Sequence, residues 1–150
     1  MFRLLSDLEV SLNELLVACR ESVDHFRDGT QIVASERIAQ ELTHIGDARE
    51  TFIPALEQRI RELGDLPTMP DPDKEDSEML LHRIGAAVTD NYTYAVLQQR
   101  MDAEKNILAL IAKARTHDEN NTSEELLNNL HAHAGNTIEK LSAFAELSPL

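Results

Sequence analysis

The chain predicts an all-α fold, on two observations. Apolar residues recur with a 3.6-residue period along almost the whole sequence, and five glycines, five prolines and few β-branched or aromatic runs leave little material for strands. Its 150 residues, 42% of them hydrophobic, are read as one domain with enough apolar material for a real core.

The first helix is predicted over residues 4 to 27, where Leu5, Leu8, Leu12, Leu15, Cys19, Val23 and Phe26 share one stripe. Asp28-Gly29-Thr30 ends it, with Gly29 expected as a left-handed C-cap. The second helix is expected from near Gln31 to Leu63, on the stripe Ile38, Leu42, Ile45, Phe52, Leu56, Ile60 and Leu63, with Gly64 as its stop. Pro54 falls inside this pattern, and because the apolar spacing continues past it, a kink one turn earlier is expected rather than a break.

The polar run DLPTMPDPDKEDSE comes next, with three prolines in six residues. At ~3.1 Å per residue such a stiff segment can cross much of a bundle's length, which permits a crossover. Ser77 is read as the cap of a short helix, SEMLLHRIGAAV, and Thr89-Asp90-Asn91 as a second capping point before a helix to about Ala114. After a turn over 117–122, Thr122 or Ser123 followed by two glutamates opens the last helix. The expected architecture is four long helices, each spanning ~37 Å for ~25 residues, and one short one, packed as a bundle.

Fourteen basic residues against 27 acidic ones give a net charge of −13, which repels nucleic acid and anionic membrane surfaces and favours a cation as partner. Cys19 is the sole cysteine, so neither an intrachain disulfide nor a cysteine metal cluster can form, and a reducing, cytoplasmic setting is expected. The opening MFRLLSDLEVSLNELL is broken by charges every few residues, unlike a signal peptide, and no stretch reaches the ~20 apolar residues of a membrane span.

Four runs, CRESVDHFRD, LEQRIRELGDLP, MLLHRIGAAV and RMDAEKNIL, in this order and spacing, resemble a ferritin-like family of functionally uncharacterised bacterial four-helix-bundle proteins. The resemblance implies a ferritin-like bundle with a crossover between the second and third long helices. It also implies a superfamily background of carboxylate-bridged di-iron chemistry, but it names no activity. Metal sites of that kind draw a carboxylate from each of two helices and a Glu-x-x-His from each of the other two. Glu41-x-x-His44 has the spacing, whereas the last helix, NNLHAHAGNTIEKL, has no Glu three residues before a His.

Ligands have to point inward, so helical phase tests each candidate. Glu41 lies ~70° and His44 ~130° from the centre of the second helix's stripe, while Glu14, Glu21 and His25 in the first helix lie more than ~120° from theirs. Glu104 falls within ~10° of the centre of Leu97, Met101, Glu104, Leu108 and Ile111, which places it inside. A buried carboxylate needs a cation or a hydrogen-bond donor beside it. Arg49 is the only basic residue on the second helix's stripe, and in a parallel arrangement it stands ~25 Å along its helix against ~19 Å for Glu104. A buried Arg49–Glu104 salt bridge is therefore the structural expectation. The alternative is an asymmetric Zn²⁺ or Fe²⁺ site of Glu41, Glu104 and His131, the last ~65° from its stripe, joined by His44 if the second helix is rotated.

Three functional expectations follow. The first is a bundle without catalysis that works by self-association, as a homodimer, or through a protein partner in a stress or regulatory setting. Leu126, Phe144 and Leu147, on the flank of the last helix, are the surface expected to meet a second subunit. The second is a metal-dependent oxidase or peroxide-handling protein. The third is a histidine phosphotransfer bundle, because His131 is followed four residues later by Gly135.

Overall fold

The computed structural model describes residues 6–69 and 92–147, and within them every regular element is helical: α1 (Asp7–Gly29), α2 (Glu36–Glu50), α3 (Phe52–Glu62), α4 (Tyr92–His117) and α5 (Glu124–Leu147). The short helix expected over 77–88 and the capping point at 89–91 lie outside the described residues. None of the described helices is long and apolar enough to cross a membrane.

Serines start the first two helices. Ser6 Oγ accepts the Glu9 N–H at 3.2 Å, and Ser35 Oγ accepts the Ile38 N–H at 3.3 Å, each satisfying a donor that has no partner within its own helix. The Ser35 cap moves the second helix's start to Glu36, five residues after the expected one, and 31–34 form a turn whose Ile32 and Val33 pack on the core. Asp118 does the same work before α5: its carboxylate accepts the backbone N–H of Thr122 at 3.1 Å and of Ser123 at 2.9 Å. Asn121 takes the left-handed conformation in that turn, which asparagine tolerates.

The second long helix bends at Thr51, the junction of α2 and α3, three residues before Pro54. Proline donates no N–H to the carbonyl four residues back, and its ring crowds that carbonyl, so the helix turns there. Gly64 ends α3 with φ 96°, while the Gly64 N–H reaches Arg61 O at 2.9 Å and the Asp65 N–H reaches Ile60 O at 3.1 Å, a Schellman arrangement. Gly29 serves a different purpose from the one expected. Its backbone is not left-handed, and a Cβ there would stand 3.1 Å from Val96 Cγ1 and 3.3 Å from Leu42 Cδ1, so the glycine lets α1 approach its neighbours.

Contacts between helices set their directions. Arg27–Glu50 at 3.0 Å and Arg20–Glu57 at 3.5 Å run α2–α3 antiparallel to α1. Lys113–Glu14 at 3.0 Å and Arg100–His25 at 3.1 Å run α4 antiparallel to α1 as well. Hence α2–α3 and α4 are parallel, and Ala34–Thr93 at 3.0 Å marks their shared end. With α5 antiparallel to both, the order is up, down, down, up. Residue 64 and residue 92 consequently lie at opposite ends of the bundle.

The core falls into two apolar clusters. One gathers Leu8 to Cys19 of α1, Leu56 and Ile60 of α3, Ile107 to Ala114 of α4, and Leu127 to Ala134 of α5. The other gathers Phe26, Ile38 to Ile45, Val96 to Met101 and Leu141. Leu126 and Phe144, expected on a subunit surface, instead pack partly buried against these clusters, and only Leu147 of that trio is exposed.

Candidate functional site

Between the two apolar clusters lies a polar layer to which each side of the bundle contributes one residue: Ser22 from α1, Arg49 from α2, Glu104 from α4 and His133 from α5. Arg49 is the largest side chain with no exposure at all, and Glu104 is equally enclosed. The guanidinium faces the carboxylate with two bonds, Nη1 to Oε1 at 3.1 Å and Nη2 to Oε2 at 2.5 Å. Its Nη1 also donates to Ser22 Oγ at 3.1 Å and its Nε to His133 Nδ1 at 3.1 Å. The Ser22 hydroxyl in turn donates to Cys19 O at 2.9 Å.

Four of the five N–H groups of Arg49 are thus engaged. Two charges removed from water are tolerated when they are paired in good geometry and their remaining hydrogen-bonding capacity is met.

His133 is held in one tautomer by this contact. A guanidinium only donates, so Nδ1 must accept, and the neutral ring carries its proton on Nε2. Burial above all, then Arg49 and Lys140, push its pKa down to about 4, and the ring lies against Phe52 with centroids 5.6 Å apart. Cys19, just below the layer, is fully buried, and burial raises its thiol to about 12, opposed by Arg49 and assisted by Glu104.

The four candidate metal ligands are not brought together. Both oxygens of Glu104 are taken by Arg49. Glu41 is half-buried and faces Lys140 at 3.7 Å, while His44 and His131 are exposed. Among the described residues no group of three or more His, Cys, Asp or Glu is placed to hold a metal ion. His133 offers no substitute, because the lone pair a metal would need is committed to Arg49. This donor set does not fit iron or zinc.

Phase reasoning selected His131 and passed over His133 and Ser22. Both histidines lie ~80° from the centre of the buried stripe Leu127, Leu130, Ala134, Thr137 and Leu141, on opposite flanks. Phase gives that angle but not which flank has a neighbour, and α2–α3 stands on the His133 side. Ser22, three residues after Cys19 and four before Phe26, carried a weak signal: a small polar side chain at the edge of an apolar stripe.

No protein-family model, curated protein or solved structure matches this chain at a significant level.

Proposed function

We propose that this protein is a ferritin-like bundle in which an arginine takes the place of the interior metal, and that it acts without catalysis, by associating with a second copy of itself. What carries the reading is that the guanidinium of Arg49 occupies both oxygens of Glu104, a fully buried acid. The up, down, down, up order of the helices supports the ferritin-like part of it.

The association part draws on the surface. Among the described residues, three of the four exposed large apolar side chains lie on one side of the bundle: Val10 on α1, and Leu66 and Met69, 79% and 82% exposed, on the segment after α3. Asn13, one turn beyond Val10, pins that segment by donating to Leu66 O at 3.4 Å and accepting the Thr68 N–H at 2.8 Å, and Arg20 donates to Thr68 O. Exposed apolar side chains on a segment held in place, in a strongly acidic protein, are of the kind a second subunit covers.

Light scattering of the full chain in the presence of a chelator tests this. The expected result is twice the mass of one chain, reverting to a single-chain mass in Leu66→Asp/Met69→Asp. A single-chain mass for the wild type at the highest concentration reached overturns the proposal.

A further inference from the structure

The five buried positions of α5 are large at its ends and small in its middle: Leu127 and Leu130, then Ala134 and Thr137, then Leu141. A groove of about 530 Å³ follows along the α2–α5 seam, lined by Ile45 and Ala48 on one side and by His133, Asn136, Thr137 and Lys140 on the other. Across the α1–α2 seam, by contrast, a Cβ at Gly46 would stand 3.3 Å from Phe26 Cβ. Packing along α5 is likewise one-sided, extensive against α4 and sparse against α2 and α3.

Polar contacts hold this seam where side-chain volume does not. Glu41–Lys140 at 3.7 Å is solvent-exposed, so it contributes little. Arg59 reaches Ser123 Oγ at 2.8 Å and Thr122 Oγ1 at 2.6 Å, but at the far end of α5. In the middle stands one contact, Arg49 Nε to His133 Nδ1, backed by the ring of Phe52.

We propose that the bundle opens along the α2–α5 seam, α5 tilting away on its contact with α4, and that His133 is the pin that keeps it shut. Opening breaks a single interior hydrogen bond, because Arg49 keeps Ser22 and Glu104 as partners on the other side. It admits water to one face of the Arg49–Glu104 pair while α1 and α4 stay packed. Regions that open below the global unfolding energy are the sparsely packed ones, and among the described residues this side of the bundle is packed more sparsely than the other three.

Amide hydrogen exchange of the full-length chain at pH 7, read by mass spectrometry, tests the proposal with two variants. In the wild type, peptides from 131–141 and 41–50 exchange faster than those from the middles of α1 and α4. His133→Ala raises exchange in those two segments tenfold or more and leaves α1 and α4 within twofold. His133→Gln, whose carbonyl oxygen can accept from Arg49 Nε, restores exchange near the wild-type level. Equal protection of α5 and α1 in the wild type overturns the proposal, and so does a uniform rise across all helices in His133→Ala beside normal protection in His133→Gln.

Discussion

Arg49 Nε donates to His133 Nδ1 across 3.1 Å, and this contact ties the outermost side chain of the polar layer to a fully buried charge. It also sets how the protein responds to acid. The folded ring titrates at about 4 against an ordinary value of 6.5, so the folded state favours the neutral form. The stabilisation is complete above the unfolded value and is lost as pH falls from 6.5 toward about 4, below which it declines no further on this account. Urea midpoints of wild type and His133→Gln measured from pH 7.5 to 4 check this: the wild type loses stability more steeply across that window. An NMR titration of His133 should place its midpoint well below the ordinary 6.5.

Removing one member of the Arg49–Glu104 pair leaves a charge with no opposite charge beside it in a fully enclosed site. Arg49→Met and Glu104→Leu should each lower unfolding free energy by about 3–5 kcal/mol. The double variant should lose far less than the sum, and replacing a buried pair by apolar side chains of similar volume can be neutral. Denaturant titration of the four proteins gives the coupling directly.

Cys19 has no exposure, and its thiol is raised to about 12, so almost no thiolate exists at pH 8. A disulfide reagent should find no reactive thiol in the native protein within minutes and one per chain in guanidinium. Immediate labelling of the native protein would contradict the enclosed position of that helix face.

Two glycines should answer oppositely. Gly135 has open space where a Cβ would go, so Gly135→Ala should add up to about 1 kcal/mol from helix propensity. Gly46 faces Phe26 Cβ at 3.3 Å, so Gly46→Val should cost about 1–3 kcal/mol by forcing α1 and α2 apart. Thermal unfolding of the two variants ranks them.

Much of this architecture is written in local pattern. The α1 stripe from Leu8 to Phe26, the bend ahead of Pro54 and the stop at Gly64 follow from spacing, a missing N–H and a left-handed turn, and all are properties of a few neighbouring residues. Glu104 reads as inward because it interrupts an apolar 4-3-4-3 spacing, and its distance to Arg49 follows once the second and third long helices run parallel. What needs the neighbours is harder to read. Gly29 looks like a turn glycine and turns out to be a contact glycine, because Val96 and Leu42 lie far along the chain. His131 and His133 are equivalent in phase, and only the position of α2–α3 separates the exposed one from the one against Arg49. The second helix starts at Glu36 and not near Gln31 because Ser35, inside the expected helix, caps it.

The proposed function rests on a guanidinium standing beside Glu104 and taking both of its oxygens. Anaerobic calorimetric titration of Fe²⁺, and separately of Zn²⁺, into the metal-free full-length chain at pH 7 tests it most directly. The account predicts no stoichiometric site in the wild type and an unchanged trace in Glu104→Gln. Binding of one or more equivalents that Glu104→Gln abolishes would contradict it.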